Sequence, residues 1–253
     1  DKEGLEKIGG KNCLKFPYFP VLIKIIDAYD NLSIQVHPDD EYARRVENEF
    51  GKTEIWYVLD ATDDAKLIYG FKNKITKDEF RKSIEDNTLL DKLNVVNVKK
   101  GDLFFIEAGT VHAIGKGALI AEIQQNSNCT YRVYDYGRVG KDKPRELHID
   151  KAVDVSNTIP PKYDIKPMGD EIESNGNISQ LLTKCDLFTV DRYQITSGIT
   201  LTADEDSFNH ILVTDGNGEI DGKPAKKGDS YFVPAGYGDY TVKGKIEIIV
   251  TRV

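Results

Sequence analysis

The chain has 253 residues, of which 40% are hydrophobic and 30% are charged, a composition typical of a soluble globular protein. This length suits one large domain or two small ones with a substantial core. Acidic residues outnumber basic ones by 42 to 34, and the net charge of −8 disfavours a protein that binds nucleic acid or anionic membranes. The longest apolar run covers residues 21–26, far short of the roughly 20 residues that a membrane span needs.

Short runs of β-branched and aromatic residues recur along the chain and predict a mainly β protein. Gly, Asn, Asp and Pro separate these runs, as in an all-β sandwich or barrel. Three short helices interrupt the strands, and we expect them at residues 37–51, after a capping box at 76–79, and at 148–155. The predicted strands are residues 21–26, 55–59, 67–69, 95–98, 103–106, 118–123, 130–133, 211–213, 231–233 and 246–250.

The three cysteines of the chain predict neither a disulfide framework nor a thiolate zinc site. They are odd in number and show no CxxC spacing. We therefore expect a cytoplasmic protein in a reducing environment. The chain begins at Asp1 without an initiator methionine or a signal peptide, which is typical of a fragment of a longer protein.

An internal repeat refines the prediction of the fold. Residues 101–109 (GDLFFIEAG) resemble residues 228–236 (GDSYFVPAG), and the GD…AG pattern is typical of the second motif of a cupin. We expect two cupin-type jelly-roll barrels: a metal-binding domain with a helical insertion over residues 1–156, and a degenerate domain over residues 157–253. The boundary falls in a stretch rich in Pro and Gly.

Four residues of the N-terminal half have the side chains and positions of metal ligands. Gln35 and His37 are two residues apart on a predicted strand and therefore share one face. Glu54 directly precedes a strand, and His112 follows a tight turn. Imidazoles with a carboxylate and no thiolate suit zinc, iron or manganese. Two histidines and a carboxylate also form the facial triad of iron oxygenases, so these ligands alone do not determine the reaction.

Charged residues in apolar strands complete a candidate site. Glu122 lies within an apolar strand, where a carboxylate needs a cavity or a partner, and is a candidate general base. Lys24 is likewise embedded in an apolar strand. With Lys52, Arg132 and Arg138, it could bind an anionic ligand.

Four segments together resemble type I mannose-6-phosphate isomerase in its short bacterial form, a member of the cupin superfamily. They are SIQVHPDD, GKTEIWYVL, AGTVHAIG and NSNCTYRVYDYGR. The resemblance implies an enzyme with one zinc per chain that interconverts mannose 6-phosphate and fructose 6-phosphate through a cis-enediol. It implies that the zinc ligands are Gln35, His37, Glu54 and His112. It also implies that the catalytic residues are Arg132 and Glu122, and that the sugar or phosphate contacts are Lys24, Ser33 and Lys52.

Several alternatives remain open from the sequence. An iron-dependent cupin dioxygenase would use the same two histidines and carboxylate, but it would give Gln35, Lys24 and Arg132 no role. A non-catalytic cupin that binds a sugar phosphate is a further alternative. The base could be Glu122 or a zinc-bound hydroxide. Members of the family carry an additional N-terminal segment that residues 1–12 match poorly. We expect a monomer whose partner is a small sugar phosphate.

Overall fold

The computed structural model describes residues 2–138 and 144–253, and its secondary structure is mainly β, as predicted. The chain forms two compact units, residues 22–165 and a second unit made of residues 1–21 with 166–253. The predicted boundary at residues 156 and 157 lies a few residues before the start of the second stretch at residue 166. The pairing of the first 21 residues with the C-terminal unit was not anticipated. No helix of the described chain combines the length and apolar character needed to cross a membrane.

Unit 22–165 contains two sheets that pack face to face. The first has the order β1-β8-β3-β6 and the second the order β5-β4-β7-β2-β9. Side chains from both sheets, including Trp56, Phe104, Leu67 and Tyr69, form one buried cluster between them. The strands are β1 Val21–Asp27, β2 Ile34–Val36, β3 Glu54–Ala61, β4 Lys66–Phe71, β5 Leu93–Asn97, β6 Leu103–Ile106, β7 His112–Ile114, β8 Ala118–Gln125 and β9 Tyr131–Tyr134.

Helices cover the outer face of the second sheet. Phe80, Leu89 and Val153 of these helices pack on Ile34 and Val133 of the sheet. The five-stranded sheet is therefore apolar on its outer face, which leaves its inner face to carry the polar residues of the site. The helices of the chain are α1 Lys2–Gly9, α2 Asp40–Glu47, α3 Lys77–Glu85, α4 Leu89–Lys92 and α5 Ile149–Val155, with a 3₁₀ helix at Lys11–Lys15.

Local sequence signals explain where these helices begin and end. The capping box predicted for α3 is confirmed, since Thr76 Oγ1 accepts from the Glu79 amide at 3.1 Å and Glu79 Oε2 accepts from the Thr76 amide at 2.7 Å. Helix α2 was expected to continue to Gly51, but it ends at Asn48, whose φ of 56° is left-handed. Asparagine tolerates this conformation and can replace glycine at a helix C-terminus.

The second unit is built on one large sheet with the order β10-β11-β12-β17-β14-β15, to which β13 and β16 also pair. The apolar runs predicted no strand between residues 134 and 210, where the structure has β10 to β13. Strand β10 is exposed, and β11 to β13 mix polar with apolar residues and are mostly half-buried, so none of them is a continuous apolar run. The strands are β10 Ile172–Ser174, β11 Asn177–Lys184, β12 Thr189–Ile195, β13 Ile199–Ala203, β14 Asn209–Ile220, β15 Lys223–Lys226, β16 Ser230–Val233 and β17 Gly238–Arg252.

The internal repeat corresponds to the same turn in both units. Gly101 and Gly228 have φ of 91° and 90°, a left-handed conformation that favours glycine. Asp102 Oδ2 accepts from the amide three residues earlier at 3.0 Å, and Asp229 Oδ2 does the same at 2.9 Å. The repeat is therefore a structural duplication. None of the three sheets closes on itself in the described residues, so the arrangement as two barrels is not confirmed.

Candidate metal centre

Three of the predicted ligands come together between the two sheets of unit 22–165. His112 begins β7, His37 directly follows β2, and Glu54 begins β3 in the facing sheet. One ligand atom from each of these residues lies within 4.8 Å of the other two, and all three residues are buried. Nε2 of His37 is 3.5 Å from Glu54 Oε2, and Nε2 of His112 is 3.6 Å from Glu54 Oε1.

Backbone carbonyls orient both imidazoles toward this centre. His37 Nδ1 lies 3.0 Å from the Cys129 carbonyl oxygen, and His112 Nδ1 lies 2.8 Å from that of Thr110. A carbonyl oxygen can only accept, so each Nδ1 carries the proton and donates it. The Nε2 lone pair of each ring is then left for a ligand. Histidines that bind metals are commonly oriented by such a bond from the other ring nitrogen.

The residues present fit a bound metal ion. In residues 2–138 and 144–253, His37 Nε2 and both carboxylate oxygens of Glu54 are buried without a hydrogen-bond partner. Leaving such groups unpaired costs about 1–3 kcal/mol each, and more for a charged group. Two imidazole nitrogens and a carboxylate oxygen can coordinate a divalent transition metal. A metal at this position could give His37 Nε2 and the Glu54 carboxylate a partner, in addition to the Lys52 ammonium at 3.1 Å from Glu54 Oε2.

Charges around the cluster keep its groups in the protonation state that a metal requires. Burial alone would raise the pKa of Glu54, but the Lys52 ammonium, at 3.1 Å from its Oε2, lowers it below its usual range. Burial, reinforced by Lys52, lowers the pKa of His37 to about 4. Burial also lowers the pKa of His112. The acid is therefore ionised and the imidazoles are neutral at physiological pH.

Gln35 and Arg132 lie in one row with His112. Gln35 pairs with His112 on β7 and with Arg132 on β9, so the three side chains share the inner face of the sheet. Gln35 Nε2 is 3.4 Å from His112 Nε2. Turning the amide by 180° would present its oxygen at that point instead, which is the atom that a metal would bind.

Glu122 is held by a cation and an indole. Lys24 Nζ donates to Glu122 Oε1 at 2.7 Å, and Trp56 Nε1 donates to Glu122 Oε2 at 3.2 Å. Lys24 also donates to the buried Gln124. The Trp56 ring contacts that of His112, with centroids 5.2 Å apart. Trp56 therefore connects Glu122 to the candidate metal centre. The sequence pattern does not predict this connection, because it joins residues of different strands.

Arg132 lies beside two further arginines. Its Nη1 donates to the Glu146 carbonyl at 2.9 Å, whereas its buried Nε has no partner in the part of the chain described. Burial, together with the charges of Arg145 and Arg138, lowers the pKa of Arg132. Asp135 pairs with both of these neighbours, at 2.6 Å for Arg138 Nη2 and for Arg145 Nε. No motif or strand pattern singles out Arg145, which lies in an irregular loop.

The predicted substrate contacts lie in different surroundings. Lys52 is buried against the candidate ligand Glu54, and Ser33 is buried just before β2. Lys24 is more accessible, with 40% of its side chain exposed.

In the other unit, Asp239 occupies the repeat position equivalent to His112 and accepts a hydrogen bond from Thr202 Oγ1 at 2.6 Å.

Facing sheets, the repeated glycine turn and a buried His-Glu-His set together define a cupin-type protein with a candidate metal centre. A family model described as "Mannose-6-phosphate isomerase, cupin domain" matches residues 177–253. The chain is 42% identical over 242 residues to mannose-6-phosphate isomerase ManA of Bacillus subtilis (strain 168), covering 92% of this chain and 75% of that protein. The chain belongs to the mannose-6-phosphate isomerase family of enzymes.

Two further relatives agree with this assignment. Mannose-6-phosphate isomerase of Streptococcus mutans serotype c is 38% identical over 245 residues, which cover 94% of this chain and 75% of the relative. The crystal structure of the Bacillus subtilis mannose 6-phosphate isomerase superposes with a TM-score of 0.87 at 36% identity, over 94% of this chain and 76% of that one. The fold expected from the resemblance therefore has a solved counterpart.

Proposed function

We propose that this chain interconverts mannose 6-phosphate and fructose 6-phosphate through a cis-enediol, with one zinc ion held by His37, Glu54, His112 and Gln35. The observation that supports this most is the buried His-Glu-His set, which lies next to a paired acid, Glu122, and in the same row as Arg132. When bound, zinc would act as a Lewis acid that polarises the sugar carbonyl. The relatives named above supply the substrate class.

Glu122 is suited to move the proton between C1 and C2. An aldose-ketose isomerisation needs one base close to both carbons. Lys24 and Trp56 each donate a hydrogen bond to one carboxylate oxygen of Glu122, which fixes the carboxylate that would accept the proton. Because the Lys24 side chain is 40% exposed while that of Glu122 is 4% exposed, Lys24 can turn toward an anionic substrate and release Oε1. Trp56 would hold the other oxygen in place.

Arg132 is suited to stabilise the negative charge that develops on the sugar oxygen. A guanidinium stays charged at any physiological pH and donates hydrogen bonds in a fixed plane. Arg132 is fixed through Nη1 to the Glu146 carbonyl, and its Nε lacks a partner. Donors oriented before the reaction are worth more than mobile ones, because they need no rearrangement in the transition state.

The phosphate needs a region of positive charge, and the unit offers two. Lys24 and Ser33, with Lys52, are the contacts proposed from the family resemblance. Arg138 and Arg145 provide two guanidinium groups that share the single carboxylate of Asp135. A dianion would therefore meet an excess of positive charge on the arginine side.

Three free cysteines fit the reducing cytoplasm that we propose as the location.

A coupled assay for fructose 6-phosphate tests the proposal. The purified chain is supplied with mannose 6-phosphate as isolated, after chelation, and after addition of zinc or iron, while elemental analysis measures metal content. We expect activity that chelation removes and zinc restores. Binding of mannose 6-phosphate without turnover would instead indicate a non-catalytic cupin. Bound iron with oxygen consumption would indicate a dioxygenase, and either result would overturn the proposal.

A further inference from the structure

A segment that follows the arginine cluster holds the backbone of Arg132. Strand β9 lies at the end of the five-stranded sheet, where β2 is its sheet partner. At Arg132 the amide of His148 donates to the Arg132 carbonyl at 2.8 Å. In return, the Arg132 amide donates to Nδ1 of the His148 ring at 3.1 Å. Residues 146–148 therefore fix Arg132 at three points, since Nη1 also binds the Glu146 carbonyl.

The His148 side chain serves Arg132 and not the helix that follows it. His148 is the residue before helix α5, a position where a side chain commonly accepts from the first turn of the helix. No such capping bond is formed, and the ring is turned toward β9 instead. An imidazole nitrogen can accept only when it carries no proton, so the neutral ring with its proton on Nε2 is required.

We propose that His148 is a positioning residue for Arg132, and that its neutral imidazole keeps the guanidinium aligned with the reacting sugar. This inference rests on the function proposed above. Protonation of the ring would remove the acceptor for the Arg132 amide and place a positive charge beside an existing one. The alignment of Arg132 should therefore weaken as the pH falls.

The other charged groups around the ring are already paired with one another. The Tyr131 ring lies 6.1 Å from that of His148, and Tyr131 donates to Glu47 at 2.8 Å. Lys151 of helix α5 also donates to Glu47, at 2.7 Å. The charge of Glu47 is therefore matched by Lys151. The hydrogen bond that would be lost if Nδ1 of His148 were protonated is the one donated by the Arg132 amide.

Two substitutions separate a positioning role from a structural one. His148→Asn keeps an acceptor oxygen close to the position of Nδ1 but cannot gain a proton, whereas His148→Ala removes the acceptor. We expect His148→Ala to lower kcat for mannose 6-phosphate roughly tenfold or more, since misplacing a catalytic group by about 1 Å costs up to about 100-fold. Its KM and metal content should stay close to those of the wild type.

The pH profile supplies the sharper comparison. As the pH is lowered, kcat of His148→Asn should fall less than kcat of the wild type, and exchange of the Arg132 amide proton should be fast only in His148→Ala. Equal acid limbs in the wild type and His148→Asn, an unchanged kcat in His148→Ala, or unchanged amide exchange in that variant would each overturn the inference. If His148→Ala does not fold, the comparison of wild type with His148→Asn still decides.

Failure of the proposed function gives a different pattern. A wild-type chain without isomerase activity, or an Arg132→Ala variant with ordinary kcat, would refute the catalytic assignment. In that case the exchange rate of the Arg132 amide still tests the hydrogen bond to His148. An active wild type and an inactive Arg132→Ala, combined with an ordinary His148→Ala, would overturn only the role of His148.

Discussion

Replacing His112 with alanine should release most of the bound metal. The imidazole is fully buried, and its Nδ1 is committed to the Thr110 carbonyl, so Nε2 is its only atom available to a ligand. Nε2 lies 3.6 Å from Glu54 Oε1, a separation that a shared metal ion can bridge. Alanine would leave a site with one imidazole and one carboxylate, supplemented only by the amide of Gln35.

The size of the effect can be expressed as thermal stability. A metal present at about 1,000 times its Kd stabilises the folded chain by about 4 kcal/mol. For a chain of this size, 1 kcal/mol shifts Tm by about 2–4 °C. Chelation should therefore lower the Tm of the wild type by roughly 8–16 °C. In His112→Ala the same treatment should change Tm by no more than a few degrees, because little metal is left to remove.

Elemental analysis and thermal melts with and without a chelator measure both quantities. His210→Ala is the matched control, because it removes a histidine of the other unit, where the ring contacts Ser230 at 2.8 Å. It should keep the metal content and the chelator shift of the wild type. Full metal occupancy in His112→Ala, or an undiminished chelator shift, would refute the assignment of His112 as a ligand.

Three other predictions concern charge. Arg132→Ala should lower kcat roughly 100-fold, since removing a charge-stabilising donor costs about that much, and should leave the metal content unchanged. Steady-state kinetics and elemental analysis test this prediction, and a loss of metal would contradict it. Lys24→Ala should raise KM more than it lowers kcat, because the partly exposed Lys24 would bind the substrate phosphate equally in the ground state and the transition state. A fall in kcat with unchanged KM would contradict this role of Lys24. Burial lowers the pKa of His210 to about 4, below the roughly 6.5 of an unfolded histidine. The neutral His210 ring therefore contributes its full stability above pH 6.5, and this contribution is lost as the pH falls toward 4, because the unfolded chain binds the proton first. Over that pH range the free energy of unfolding of the wild type should fall by up to about 3 kcal/mol more than that of His210→Gln, as measured by denaturant unfolding. Identical losses in both proteins would disprove this.

Features set by neighbouring residues could be predicted from the sequence. The capping box of α3, the strand alternation that aligns Gln35 with His37, and the glycine turn of the repeat each depend on a few consecutive residues. The candidate ligands His37, Glu54 and His112 are predicted in the same way, from a strand alternation, the start of an apolar strand and a tight turn, respectively. The role of Arg132 follows from the family resemblance, that of Glu122 also from its position in an apolar strand, and both remain proposals.

Features that join distant parts of the chain could not be predicted. The bond from Trp56 to Glu122 depends on the register of β3 against β8, which a strand pattern does not specify. The first 21 residues pair with the C-terminal unit through contacts such as Asn12 Nδ2 with the Val253 carbonyl, at 2.9 Å. The sequence pattern at His148 predicts only the start of a helix, because the bond from the Arg132 amide to its ring joins a strand to a loop.

Net charge and local charge lead to opposite expectations for this chain. A total of −8 argues against an anionic partner, yet the proposed substrate is a dianion. The two lysines of the site are each matched, Lys24 by Glu122 and Lys52 by Glu54. Arg138 and Arg145 share the one carboxylate of Asp135 and Arg132 lies beside them, so the excess of positive charge in the described site lies with these arginines. Because fields inside a partly buried site are weakly screened, this local excess governs binding more than the total charge does.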